Sequence, residues 1–143
     1  MSRWPYVFFA TATVFILIGV NWGLYMSITH DFTTSPGHAH LNLLGWLSLA
    51  VMGTYYAVLG RDTPGWLVAT NYTLNTIGVV CMSSGLALAL SQTLPLPQVV
   101  PLISLGALAT IFGFVAFAGA VVIGLRRNVF AGRMTRDRLA AAA

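Results

Sequence analysis

Two of the chain's three histidines stand two residues apart in Gly37-His38-Ala39-His40, at the head of an apolar run that continues through Leu44-Gly45-Trp46. A neutral imidazole is a ligand for iron, copper or zinc. An ionisable residue inside a membrane span is a functional-site candidate by default. On an α-helix, residues i and i+2 project about 200° apart, at about 100° per residue. His38 and His40 therefore cannot chelate one ion from one helix face, and each must look toward a different neighbour. Both fall in a first helical turn, where the positive end of the helix disfavours added positive charge and so favours the ligating form. The competing reading is that both rings cap the helix mouth and bond loop carbonyls.

The stripe through His38 continues with Asn42, Gly45, Leu49, Met52 and Tyr56. The stripe through His40 continues with Leu44, Leu47, Val51 and Thr54. Both are flat and largely apolar, as a haem wall would be, and both equally suit a lipid or helix contact. His30 and Asp31 read as a solvated loop. Cys81 is the lone cysteine, so an intrachain disulfide is impossible; it reads as a buried inert thiol. The haem-attachment motif Cys-x-x-Cys-His is absent, so any haem would be held without thioether bonds.

These residues need membrane helices to position them. The chain of 143 residues is 57% apolar and only 7% charged, far from the roughly 25% of a soluble domain. It contains no Lys and no Glu, and no charge interrupts an apolar run. Four runs reach the roughly 20 residues a bilayer requires: about 6–28, 38–59, 65–90 and 99–125. The fold expected is an all-α, single-domain, four-helix membrane protein. Thr33–Gly37, Gly60–Pro64 and Pro95–Pro97 supply turn chemistry between spans, and Ser35-Pro36 reads as an N-cap followed by proline at the first helical position. Met134–Ala143 reads as a short surface-lying or frayed helical end. The first run is too long for a signal core, and no small-x-small cleavage site follows it.

Arginine marks the cytoplasmic side of a membrane protein. Arg3, Arg61 and the cluster from Arg126 to Arg138 share one side, while the other two loops carry none. Both termini are thus expected inside and the His pair near the outer face. The net charge of +4 is a topology signal, not a nucleic-acid footprint. Trp4, Trp22 and Trp66 read as interfacial anchors. Gly19 and Gly23, and Gly106, Ala109 and Gly113, read as close helix–helix contacts. Asn71 and Asn75, one turn apart on the unusually polar third span, either bond to another helix or line a polar pocket.

Gly37-His38-Ala39-His40, Leu44-Gly45-Trp46, Gly53 and Tyr56 together resemble, without gaps, the tenth helix of the catalytic subunit of haem–copper oxidases, closest to the C-family oxidases and nitric oxide reductases. The likeness covers about 20 residues of 143. It implies that His38 and His40 each face a haem, with Asn42 and Trp46 among the cofactor-binding residues. It also implies a four-span unit equivalent to one third of the twelve-span subunit. The chain departs from that family in lacking a three-histidine copper cluster and any outer arginine. Haem propionates would have to use helix-mouth N–H groups, Thr33, Thr34, Trp22 or His30. The expectation is a bacterial inner-membrane protein binding non-covalent haem b between protomers, for electron transfer or small-gas binding. Copper or zinc in place of haem, a minimal gas-reducing oxidoreductase, and a haem-free assembly protein are the alternatives. A homotrimer is expected, because a closed ring lets His38 of one chain meet His40 of the next.

Overall fold

A computed structural model describes the backbone of residues 3–141 and the side chains of residues 3–127. Four helices follow one another: α1 (Trp4–Thr29), α2 (Ser35–Val58), α3 (Gly65–Leu90) and α4 (Leu96–Ala141). Each is long and apolar enough to cross a membrane, and no strand occurs among the described residues. The expected all-α, four-span architecture is what forms. α3 has the expected bounds, whereas α1 and α2 each begin before the apolar run does. α4 begins at Leu96, taking Pro97 into its first turn, where the missing N–H costs nothing. It continues to Ala141, so the helical end expected from Met134 onward belongs to this same helix; Ala142 and Ala143 lie outside the described residues.

The N-cap of α2 is Thr34, one residue earlier than the Ser35 expected, and it makes no capping bond. Its hydroxyl instead accepts a hydrogen bond from Trp22 Nε1 at 3.0 Å, which ties the mouth of α2 to α1.

α2 is not a uniform helix. It is α-helical over Ser35–His40, π-helical over Leu41–Ser48 and α-helical again over Leu49–Val58. In the π segment each N–H reaches back five residues instead of four. The Ser48 hydroxyl copies that step, donating to the Leu43 carbonyl at 2.8 Å. Slower winding keeps residues spaced by four on one face, and Gly37, Leu41, Gly45 and Leu49 are all buried. Gly45 sits where a Cβ would lie 2.9 Å from the Phe15 ring of α1 and 3.0 Å from Val79 of α3, so the π segment passes between two helices with no room for a side chain.

α1 packs on α2, α2 meets α3 toward its N-terminal half, and α3 and α4 form the most extensive pair. Lipid is as apolar as leucine, so burial alone does not drive these contacts; close packing and interhelical hydrogen bonds must. At α3–α4 the packing is backbone on backbone. A Cβ at Gly106 would lie 2.6 Å from the Met82 nitrogen, and a Cβ at Gly78 would lie 2.8 Å from the Thr110 nitrogen. The hydrogen bonds centre on Asn71, which is fully buried. Its Nδ2 donates to the Gly113 carbonyl of α4 at 2.9 Å, and its Oδ1 accepts from the Tyr56 hydroxyl of α2 at 3.1 Å. One amide thus joins three helices. Asn75 bonds back to the Asn71 carbonyl at 2.9 Å and packs against Gly113. Of the two alternatives for this pair, bonding to another helix holds for Asn71.

Candidate functional site: the histidine pair at the mouth of α2

His38 and His40 lie in the α-helical turn that precedes the π segment, and they face different surroundings, as their spacing requires. His38 turns toward α1. Its ring meets Trp22 edge-on at a centroid separation of 6.1 Å. It lies over Gly23, where a Cβ would stand 3.0 Å from the imidazole Cε1. One turn on, Asn42 fills the corresponding space over Gly19, whose Cβ would collide with the amide oxygen. The two helices run antiparallel, so four residues down α1, from Gly23 to Gly19, match four residues up α2, from His38 to Asn42. The glycines read from sequence as plain helix contacts are cradles for this polar pair.

Asn42 Nδ2 lies 2.9 Å from His38 Nε2 and 3.4 Å from Nδ1. Asn42 Oδ1 is buried against Gly19 with no hydrogen-bond partner among the described residues. His38 Nε2 is therefore engaged inside the protomer, and a metal at that atom would have to displace the amide.

His40 is arranged differently. Its Nδ1 lies 2.7 Å from the Pro36 carbonyl at the exposed side of the helix. A carbonyl only accepts, so this bond places the ring hydrogen on Nδ1. Nε2 of the neutral ring then keeps its lone pair. This is how ligating histidines are held: one ring nitrogen fixed by an acceptor, the other free for the metal. Proline contributes to the local geometry, because Pro36 sits in the first turn of α2 and its ring presets the helical φ.

The other predicted residues divide between the two sides. Asn42 belongs with His38. Trp46 lies within the π segment and is 41% exposed, on the outward surface with Leu47 and Val51. Of the stripe continuing from His40, Leu47 and Val51 are outward and apolar while Leu44 packs against the core, and the stripe continuing from His38 leads through Gly45, Leu49, Met52 and Tyr56 into the core. His30 ends α1 in the left-handed region at φ 53° and is exposed in the loop, apart from the pair. Asp31 accepts a hydrogen bond from the Thr33 N–H at 3.0 Å. Among the described residues no group of three or more His, Cys, Asp or Glu side chains is assembled to hold a metal. Of the groups expected to meet haem propionates, Trp22 Nε1 and the Thr34 hydroxyl already serve each other.

Two features of the site escaped the sequence, the π segment and the Gly19/Gly23 cradle, whereas the Pro36 acceptor agrees with the competing reading in which the rings bond carbonyls at the helix mouth. The cradle left the clearer trace, a pair of small residues spaced by four in α1 opposite a polar pair spaced by four in α2.

Fold and site together define a four-span integral membrane protein with an oriented histidine pair at one mouth of its second span. Comparison with protein-family models, with curated proteins and with solved structures finds no match.

Proposed function

We propose that this protein binds non-covalent haem b on the outward face of α2, with His40 as the ligand each protomer presents and a histidine of a neighbouring protomer completing the coordination. The observation that carries the reading is the 2.7 Å contact between His40 Nδ1 and the Pro36 carbonyl, which fixes the ring and leaves Nε2 free at a span mouth. The apolar surface of Leu47 and Val51, with Trp46 beside it, supplies a wall for a flat macrocycle. His38 fits the ligand role less directly, because Asn42 occupies its Nε2. It becomes a ligand where assembly draws the amide away. A ring of three protomers, inner-membrane location with both termini cytoplasmic, and a role in electron transfer or small-gas binding complete the proposal. Bound haem would supply a one-electron couple or an iron site for a diatomic gas; the chain supplies the ligand, its orientation and the apolar wall.

The test is a pyridine haemochrome assay and absorption spectrum of detergent-purified protein, with carbon monoxide difference spectra. A b-type spectrum that is lost or becomes five-coordinate in His40→Ala supports the reading. A protein that purifies without haem, or a double variant His38→Ala, His40→Ala with an unchanged spectrum, overturns it.

A further inference from the structure

At the opposite end of the bundle from the histidines, the end of α2, the α2–α3 loop and α4 enclose a shallow open cleft of about 30 Å³. Its lining is amphipathic: Leu59 and Ile123 on the apolar side, with Gly60, Asp62, Thr63, Gly124 and Arg127 on the other. The Arg127 guanidinium is fixed by one bond from Nη1 to the Asp62 backbone carbonyl, at 2.6 Å. That bond goes to the carbonyl and not the carboxylate. Arginine has five N–H donors, and the other four make no bond among the described residues. The Asp62 carboxylate likewise has no partner among them. The cleft is therefore lined by two residues of opposite charge, Arg127 and Asp62, which meet through a backbone carbonyl and not through an ion pair.

The level of the cleft is marked by aromatic residues. Trp4 and Tyr6 at the start of α1 and Trp66 at the start of α3 lie at this same end, and Tyr6 and Trp66 are strongly exposed. Such residues sit at the headgroup level of a bilayer. Beside the cleft, Val58 and Leu59 at the end of α2 are exposed and apolar. A water-sized space takes the polar atoms of a headgroup and not a whole soluble ligand.

We propose that this cleft binds a phospholipid with a phosphoethanolamine headgroup, its phosphate on Arg127 and its ammonium on Asp62, with the acyl chains along Val58 and Leu59. The paired opposite charges select a zwitterionic headgroup carrying N–H donors. A purely anionic headgroup meets the Asp62 carboxylate unfavourably, and a trimethylammonium cannot hydrogen-bond to it. A planar guanidinium matches phosphate through two parallel bonds.

Native mass spectrometry of the purified protein, titrated with phosphatidylethanolamine, phosphatidylglycerol and phosphatidylcholine in turn, tests this. The ethanolamine lipid should be retained most. Arg127→Gln should weaken its retention about tenfold, the loss of one charge-assisted hydrogen bond. Asp62→Asn, at an exposed side chain, should fold normally and abolish the preference for ethanolamine over choline. Arg126→Gln, one residue away on the same helix and outside the cleft, should change nothing. Should Arg127→Gln fail to fold, Arg127→Lys keeps the charge and should retain the lipid more weakly. Equal retention of all three lipids, preference for the glycerol lipid, an unchanged Asp62→Asn profile, or equal competition by inorganic phosphate would each overturn the proposal.

Discussion

The fully buried Asn71 is the residue whose removal should be felt most clearly. Asn71→Ala deletes the donor to the Gly113 carbonyl, at 2.9 Å, and the acceptor of the Tyr56 hydroxyl, at 3.1 Å. Interhelical side-chain bonds in membrane proteins are worth about 0.6 kcal/mol on average and up to about 1.7. The void left by the amide adds about 0.5–1 kcal/mol, at roughly 24 cal/mol per Å³. Together these predict a loss of about 2–4 kcal/mol. Tyr56→Phe removes one bond and strands Asn71 Oδ1, at a cost of about 1 kcal/mol. If the two side chains share a bond, the double variant costs less than the two single variants combined, by about 1 kcal/mol. Equilibrium unfolding in mixed micelles of dodecylmaltoside and sodium dodecyl sulfate, followed by tryptophan fluorescence, measures all three. A cycle additive within about 0.3 kcal/mol, or an Asn71→Ala cost below about 0.5 kcal/mol, would refute the claim that this amide joins α2, α3 and α4.

Gly106→Ala places a methyl 2.6 Å from the Met82 nitrogen and 3.0 Å from the Gly78 carbonyl oxygen. Both are helix backbone and cannot rotate aside, so a loss of about 1–3 kcal/mol is expected in the same unfolding assay, and a neutral result would contradict the backbone-on-backbone α3–α4 contact. For topology, Thr33→Cys should be labelled by a membrane-impermeant thiol reagent from outside intact cells and Thr135→Cys only after permeabilisation; the reverse pattern would invert the orientation. Asp31 is held below its ordinary value of 3.8, by the Thr33 hydroxyl first and the Thr33 N–H second. The ordering of this loop is therefore fully present above pH 3.8 and is lost as pH falls through the lower folded value. Thr33 amide exchange in micelles should follow that fall, and a midpoint at or above 3.8, or no change in Asp31→Asn, would contradict it.

The number of spans was legible because length and apolarity alone settle it, and the third span was legible to the residue. Pro64 and Gly65 start it, and the apolar run simply ends at Leu90. Helix ends inside turn chemistry were harder. Thr34 and Ser35 are equally good caps by type, and the choice was made by Trp22, a residue twelve positions away in sequence. The divergence of His38 and His40 could be read from helical geometry, because it depends only on the angle per residue. What each ring would bond to could not, since Gly23, Asn42 and the Pro36 carbonyl become neighbours only once α1 lies against α2. The π segment leaves a weak mark, the spacing of four in Gly37, Leu41, Gly45 and Leu49. That spacing also occurs on ordinary helices, where it drifts slowly around the face.

The two histidines differ in availability, and the lipid setting explains why that matters. A polar pair such as His38 and Asn42 within an apolar helix interface is costly unless its groups find partners. Asn42 Oδ1 has none among the described residues, yet α1 offers two glycines that make room for the pair. A helix contact serving stability alone is met more simply by apolar side chains, as Phe8 of α1 with Leu49 and Met52 of α2 shows a few turns away. His40 bears no such burden: its Nδ1–H is held by the Pro36 carbonyl at the mouth of α2. One histidine thus has its Nε2 bonded to an amide, and the other has its Nδ1 bonded to a backbone carbonyl. Under the proposed haem assembly, His40 would be the first to meet the macrocycle, and recruiting His38 would require the Asn42 amide to give way. Asn42→Leu removes that contact, and under the same proposal it should let His38 ligate without first displacing an amide.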